Sequence, residues 1–210
     1  MAGIARSQTS YDLTFASEYA ARGAALDPNP ALQLRIEHDA ETERYAGWYA
    51  GAFASPAAFF GHEQGQLSAY TGRALRLTST LSIDLGATAT VFTRTREWNY
   101  HEFYAGLALP HASARLFYSP AYYGEGRSAY LDLSGAVPID DRWHVAWHAG
   151  LLHPFSENGA TESNGADVRV AVGYDAGPVS LEAGWQVKAH AYLVATPPAR
   201  ALTASASWRF

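Results

Sequence analysis

Hydrophobic and polar residues alternate with a period of two along most of the chain, which is the pattern of half-buried β-strands. The alternation is clearest in the second half, where Val168 and Val170 share one face while Asp167 and Arg169 share the other. From this pattern we predict about twelve strands. They lie near residues 9–19, 31–38, 44–53, 65–75, 80–93, 99–109, 112–119, 127–136, 142–152, 166–175, 178–188 and 199–210.

The length of these strands indicates a membrane protein. Most contain the roughly 9–11 residues that a tilted strand needs to cross a bilayer, whereas a strand averages about 5–6 residues in soluble proteins. No apolar run approaches the roughly 20 residues of a membrane helix. A barrel of membrane-spanning strands therefore fits the pattern best.

The connections between the predicted strands alternate between long and short. The odd-numbered ones are mostly long, and they are 21–30, 54–64, 95–99, 120–126, 153–165 and 189–199. The even-numbered ones are short, and they are 39–43, 76–79, 110–111, 137–141 and 176–177. Long loops at one rim and tight turns at the other are typical of bacterial outer-membrane barrels. Both chain ends then lie at the short-turn rim, which requires an even number of strands.

Two tight turns predict the register of their hairpins. A turn at Pro110-His111 places Tyr104 opposite Phe117. A turn at 176–177 places Gly173 opposite Ser180. Directly opposed residues share a face of the sheet, so in both hairpins the polar residues of the two strands fall together.

Aromatic residues cluster at the strand ends, as expected of two girdles at the membrane interfaces. The short-turn girdle consists of Tyr11, Trp143, Tyr174, Trp208 and Phe210. The long-loop girdle consists of Tyr19, Phe53, Trp98, Tyr100, Phe103 and Tyr118.

The chain ends on ALTASASWRF, in which Leu202, Trp208 and Phe210 share the face predicted to contact lipid. We expect this strand to close the barrel against the first one, since lipid does not tolerate a free sheet edge. A terminal phenylalanine on such a strand also resembles the signal that the outer-membrane assembly machinery recognises. Outer-membrane lipid and lipopolysaccharide are the other expected partners.

Composition narrows the functional classes. There is no cysteine, so disulfides and thiolate metal sites are excluded. The 15 basic residues against 20 acidic ones argue against a nucleic-acid partner, which needs clustered cations. A mean hydropathy of -0.16 fits a soluble protein and an outer-membrane barrel alike, because half of each barrel strand faces a polar lumen.

The first ten residues are too short and polar for a secretory signal, so we expect an exported chain to have lost its leader.

The polar faces supply the candidate functional surface, the lumen of the barrel. One interpretation is that these charges line a pore for small polar solutes; the other is that they pair across strands and fill a narrow barrel. Arg169 and Glu182 lie within reach of each other in the predicted register. The predicted lumen-lining residues are Glu18, Arg35, Glu37, Glu102, Tyr104, Arg115, Tyr130, Asp132, His144, His148, Asp167, Arg169, Glu182, Gln186 and Lys188.

Other chemistries have weak support. His144 and His148 share a face but lie about 13 Å apart along a strand, too far to share a metal ion. His62, His153 and His190 lie in long loops and could converge at one rim. No serine joins His101 in the pattern of a lipid hydrolase, and no phosphate-binding glycine loop opens a helix. We predict no enzymatic activity, no metal and no cofactor.

Several segments resemble a family of Gram-negative outer-membrane barrels, the TorF-type porin family. They are Ser17-Glu18-Tyr19 with Arg22-Gly23, and the segments at 30–33, 45–55, 100–109, 114–124 and 129–139, in the family's order. The chain departs from the family at Glu18, where aspartate is expected, and at Gln66 and Ser68, which replace an acidic pair. The resemblance implies a small outer-membrane barrel without implying a substrate.

These observations predict a single domain over residues 1–210, with residues 1–8 as an N-terminal extension. Its fold is an all-β, transmembrane, antiparallel up-and-down barrel of about twelve strands. The leading function is a narrow porin-like channel. The alternative is a structural barrel with a plugged lumen, which binds an unidentified envelope protein as an accessory to a larger complex. A soluble lipocalin-like ligand binder is the remaining possibility.

Overall fold

The computed structural model describes residues 8–22, 24–40, 47–59, 62–155, 164–189 and 201–210. Twelve antiparallel strands in these residues form a closed barrel, and two further strands form a separate hairpin. The barrel strands are β1 (Gln8–Ala16), β4 (Ala31–Ala40), β5 (Trp48–Phe59), β6 (His62–Arg76), β7 (Ser82–Phe92), β8 (Tyr100–Leu109), β9 (Ala112–Tyr122), β10 (Gly126–Pro138), β11 (Trp143–Pro154), β12 (Gly165–Ala176), β13 (Val179–Ala189) and β14 (Leu202–Arg209). The hairpin strands are β2 (Tyr19–Ala21) and β3 (Ala24–Asp27), and a 3₁₀ turn spans Arg96–Trp98. The predicted fold class and strand number are confirmed.

The first and last barrel strands pair along their length and leave no free edge. The amide of Phe210 donates to the carbonyl of Tyr11 at 3.0 Å, and the amide of Tyr11 donates back to Phe210 at the same distance. The two rings stack with their centroids 5.5 Å apart. The prediction that the C-terminal strand closes the barrel is therefore confirmed. At the same rim, the rings of Trp143 and Tyr174 lie 4.8 Å apart.

The outer face of the barrel is a continuous apolar band. Leu85, Leu116 and Val170, from strands around the circumference, are each about half exposed. A soluble monomer rarely exposes contiguous apolar surface of this extent. No helix in the part of the chain that the structure describes is long and apolar enough to cross a bilayer.

The turn between β12 and β13 differs from the prediction by one residue. Ala176 pairs with Val179, so Gly177 and Pro178 form the turn and Gly173 opposes Glu182. Gly177 has a φ of 65°, in the left-handed region that favours glycine. The register moves by two positions, and the polar faces therefore still coincide. The predicted pairing of Tyr104 with Phe117 is confirmed.

The predicted long loop at 54–64 is wrong, because β5 continues to Phe59 and β6 begins at His62. Pro56, which lies inside the predicted loop, pairs directly with Gly65 within the β5–β6 ladder. The pairing of β5 with β4 ends at Ala54. Beyond Ala54, the side of β5 that faces β4 is unpaired in the described residues. Proline, which lacks an amide hydrogen, is tolerated at such an edge.

The segment after β1 folds into the barrel as the β2–β3 hairpin. Ala25 and Leu26 are almost completely buried there, and Tyr19 packs against Phe53 with the ring centroids 5.7 Å apart. The hairpin completes an interior apolar cluster at the long-loop end. Its buried members are Tyr19, Leu26, Ala31, Ala57, Phe92, Tyr122 and Tyr123.

This cluster corrects the predicted long-loop girdle. Tyr19 belongs to the cluster, and Phe53, Trp98 and Tyr100 pack against it rather than forming an outer belt. Tyr100 and Phe103 are three residues apart in one strand, so they point to opposite faces and cannot both contact lipid. The outward-facing aromatics of the predicted set are Phe103 and Tyr118.

Candidate functional site

The polar faces of the strands meet inside the barrel, where hydrogen bonds join strands that are not neighbours in the sheet. The Tyr49 hydroxyl on β5 donates to Asp84 Oδ1 on β7 at 2.5 Å. The hydroxyl oxygens of Tyr49 and Tyr104 lie 2.6 Å apart, although Tyr104 lies three strands away on β8. These contacts define a wall of hydrogen-bonded tyrosines.

Charged groups on this wall are held by the tyrosines and by each other. Arg115 donates from Nε to Asp84 Oδ2 at 2.7 Å. Tyr70 donates to Glu37 Oε2 at 2.6 Å. The Arg35 guanidinium lies between two rings, 5.6 Å from the centroid of Phe53 and 5.9 Å from that of Tyr70. The arrangement fixes both signs of charge at short separation.

Glycines on neighbouring strands make room for the interior tyrosines. A Cβ atom added at Gly86 would collide with the Tyr104 ring and with the carbonyl oxygen of Thr71. The same relation holds for two more directly opposed pairs. The three pairs are Tyr49 with Gly72, Tyr70 with Gly51, and Tyr104 with Gly86.

A second polar cluster lies on β10, β11 and β12. His148 Nε2 is 2.7 Å from Asp167 Oδ1 and 3.0 Å from the Tyr130 hydroxyl. Tyr130 also donates to Asp167 Oδ2 at 3.1 Å. The other ring nitrogen of His148 lies 3.7 Å from Asp132 Oδ2, so the imidazole stands between two carboxylates.

Arg169 and Glu182 form an ion pair at 2.7 Å, as predicted. In the observed register Arg169 opposes Gln186, so the side chain reaches along the wall to Glu182. Small residues make this reach possible, since Ala171 and Gly184 are paired between the two. His144 lies near the same carboxylate, with its Nε2 3.7 Å from Glu182 Oε1.

The β2–β3 hairpin is anchored to the barrel on the β13–β14 side. Ser17 exchanges two hydrogen bonds with Ala204 of β14: its amide donates to the carbonyl at 2.8 Å and its hydroxyl accepts from the amide at 3.0 Å. Gln186 of β13 donates from Nε2 to Glu18 Oε1 at 2.8 Å. These contacts hold the entry of the hairpin against one wall.

Arg22, at the end of β2, reaches the opposite wall. Its Nη2 donates to both carboxylate oxygens of Glu102, at 2.8 and 2.9 Å. Its guanidinium carbon lies 4.3 Å from the ring centroid of Tyr130. Burial lowers the pKa of Arg22, but Glu102 with neighbouring Tyr122 and Tyr100 outweighs it and raises the pKa well above the usual value. Arg22 therefore stays charged and pins the hairpin across the lumen.

Two cavities adjoin residues 20–22 of the hairpin. The first has a volume of about 550 Å³ and extends to mid-barrel residues such as Thr88 and Tyr70. The second has a volume of about 390 Å³ and is lined by the His148 and Asp167 cluster. The first is lined mainly by polar side chains, while the second combines charged groups with apolar residues such as Phe117 and Val168. The hairpin therefore leaves cavities inside the barrel.

Most residues predicted to line the lumen fall into these clusters. The exception is Lys188, which opposes Asp167 in the register and makes no ion pair within 4.0 Å in the described part of the chain. That these residues line a conducting pore stays a prediction.

The predicted lumen-lining residues did not include Tyr49, Tyr70, Asp84 and Arg22. The first three lie on the polar faces of strands, so strict alternation would have found them. Arg22 had no such signal, because it belongs to a connection without periodicity.

The described residues add no support for a metal site or a lipid hydrolase. Among the described residues, no group of three or more histidine and acidic side chains could hold a metal ion. His153 Nδ1 lies 2.7 Å from Asn164 Oδ1, and His190 lies outside the described residues. The Ser119 hydroxyl donates to the backbone carbonyl of His101 rather than to its ring.

Solved structures with a similar fold are outer-membrane barrels. The KdgM porin superposes with a TM-score of 0.59 at 12% identity, over 96% of this chain and 98% of that one. The NanC porin gives 0.59 at 10% identity, over 95% and 98%. The Pseudomonas putida toluene transporter TodX gives 0.50 at 12% identity, over 99% and 90%.

No family model and no curated protein matches the chain. The resemblance to the TorF-type family is therefore not confirmed. At these identities the structural likeness establishes the outer-membrane barrel fold alone.

Proposed function

We propose that the protein is a narrow porin-like channel in a Gram-negative outer membrane, which passes small polar solutes. The observation that supports this proposal best is the polar cavity of about 550 Å³ inside a closed barrel of twelve strands. Two structural neighbours are described as porins and a third as a transporter, which agrees with a channel.

The placement of charge supports selection by local charge and polarity. Three of the interior cations, Arg22, Arg115 and Arg169, each pair with a carboxylate at 2.8 Å or less. Paired signs leave strong local fields, so a solute would exchange hydrogen bonds with the walls as it passes. Small polar solutes, including those that carry a charged group, suit such a lumen.

The hairpin favours a second candidate, a structural barrel with a plugged lumen that binds an envelope protein. It buries Leu26 inside the barrel and is anchored to two opposite walls. A permanently docked hairpin would leave conduction negligible. The barrel would then act through its rims and its outer surface.

Planar-bilayer recording separates the two candidates. We expect purified wild-type protein to give discrete single-channel steps, smaller than those of wide porins because twelve strands enclose a narrow interior. A heat-shifted gel band must first show that the barrel is folded, and detergent without protein is the control. Absence of steps from folded barrel would contradict the channel and favour the plugged barrel.

We also propose that Phe210 is the contact for the assembly machinery, while the apolar band contacts lipid and the rim loops contact lipopolysaccharide. Replacing Phe210 with alanine keeps the backbone pair with Tyr11 and removes the ring. We expect severalfold less folded barrel in the outer membrane of cells, with refolding into detergent nearly unchanged.

Phe155, an exposed aromatic near a rim loop, provides the matched control in a Phe155→Ala variant. Equal amounts of folded protein in cells for wild type and F210A would refute a role for Phe210 in recognition. A refolding defect in detergent would instead assign the ring to stability.

A further inference from the structure

The Arg22 guanidinium occupies a cage of aromatic rings with a carboxylate at one side. Its central carbon lies 4.3 Å from the ring centroid of Tyr130, 4.9 Å from that of Tyr122 and 5.4 Å from that of Phe117. Glu102 accepts two hydrogen bonds from its Nη2. Aromatic faces at such distances attract cations, and cages of this kind bind organic cations in other proteins.

We propose that Glu102, Phe117, Tyr122 and Tyr130 form a binding site for a solute with a guanidinium or amine group, and that Arg22 occupies it as an internal ligand. The proposal rests on the proposed channel function and names a class of solute for it. An entering organic cation would replace Arg22, release the hairpin tip and widen the path.

The four cage residues belong to strands of the barrel wall and not to the hairpin. Its members lie on β8, β9 and β10, which pair continuously with one another. Phe117 also packs against Tyr104 and Tyr130, with ring centroids 5.3 and 6.4 Å apart. These contacts within the wall would hold Phe117 and Tyr130 in place when Arg22 leaves.

Charge explains why a cation must replace Arg22. Glu102 is only 4% exposed, and a buried carboxylate without a partner is costly. The adjoining cavity also contains Asp132 and Asp167, while its second arginine, Arg169, is already paired with Glu182. The surroundings thus favour a positively charged occupant.

The chemistry of the cage favours an organic cation over a metal ion. Three ring faces and a single carboxylate offer few oxygen ligands, which hard metal ions require. A planar guanidinium can both stack on the rings and donate hydrogen bonds to the two oxygens of Glu102, as Nη2 of Arg22 does.

Calorimetric titration with methylguanidinium chloride tests the site on refolded barrel in detergent. In the wild type, Arg22 competes with the probe and weakens its apparent affinity. We expect Arg22→Ala to bind methylguanidinium at least about tenfold more tightly than the wild type, since the competitor is lost. The double variant Arg22→Ala, Glu102→Gln should lose this gain.

Two controls isolate the cage. Methylurea, a neutral molecule of the same shape, should not bind to Arg22→Ala. Arg115→Ala removes another lumen arginine that pairs with a buried carboxylate but faces a single ring, that of Tyr104, and should gain no methylguanidinium binding. A heat-shifted gel band checks folding, and Arg22→Gln replaces Arg22→Ala if the latter does not fold.

Equal affinity of wild type and Arg22→Ala, or unchanged binding after Glu102→Gln, would overturn the proposal. Binding of methylurea as tight as that of methylguanidinium would also do so. Calorimetry does not require conduction, so a barrel that binds the probe without conducting would refute the channel and leave the cation site standing.

Discussion

Replacing Arg22 with alanine is expected to raise single-channel conductance severalfold and to make opening more frequent. The wild-type side chain makes two charge-assisted hydrogen bonds with a buried carboxylate and contacts three aromatic rings. Removing one partner of a buried ion pair costs about 3–5 kcal/mol. If this energy acts on the docked hairpin, the equilibrium between docked and released hairpin shifts by more than about a hundredfold.

Apolar contacts will oppose release of the hairpin in this variant. Leu26 is 2% exposed, and burying a leucine contributes about 1.5–3 kcal/mol. A double variant that adds Leu26→Asn should therefore conduct more than Arg22→Ala alone. A higher conductance of the double variant would show that release of the hairpin opens the path. If the loss of the Arg22 charge acted directly on the permeating ions, Leu26→Asn would add nothing.

The measurement is the distribution of step sizes in planar bilayers at fixed salt. Arg96→Ala removes an exposed arginine from the 3₁₀ turn at the same rim and should leave the step size unchanged. Unchanged conductance in both Arg22 variants, with folded barrels, would show that the hairpin does not restrict the path.

A valine at Gly86 is expected to lower the stability of the barrel by about 1–3 kcal/mol, the usual cost of overpacking. Its side chain would take the space of the Tyr104 ring and collide with the carbonyl of Thr71, which cannot move without distorting the ladder. Tyr104 would then lose its contact with the Tyr49 hydroxyl and its packing against Phe117.

Denaturant unfolding of the refolded barrel, followed by tryptophan fluorescence, measures this loss. The control is Gly126→Val, because a Cβ at Gly126 meets no atom within 4 Å. We expect a lower midpoint for Gly86→Val and an unchanged midpoint for the control. Equal midpoints would mean that the glycine opposite Tyr104 is not needed for packing.

The error at Pro56 and the success at Pro110 show how far turn residues alone determine strand ends. Pro110 lies in the turn between two strands that pair on both sides, and its hairpin has the predicted register. Pro56 lies in β5 beyond the point where its pairing with β4 ends. Whether a proline breaks a strand therefore depends on the pairing with a neighbouring strand, whose residues are distant in the sequence.

The paired lumen charges were predictable as a class but not as individual contacts. Alternation placed Asp84 and Arg115 on the same face, since side chains follow the pleat with a period of two. Which carboxylate each arginine reaches depends on the size of the residues between them, as for Arg169 and Glu182. Side-chain length and local space are properties of the folded wall.

The sequence by itself determined the closed barrel, its strand number and the two faces of each strand. Period-two alternation and tight turns act between residues close in the chain, and the pairing of the last strand with the first follows from the cost of a free edge in lipid. Only the tertiary structure decided where residues 17–22 and 24–30 lie. Their position depends on contacts between Glu18 and Gln186, 168 residues apart, and between Arg22 and Glu102, 80 residues apart. Such contacts leave no local pattern, because they form only after the barrel has brought distant strands around the hairpin.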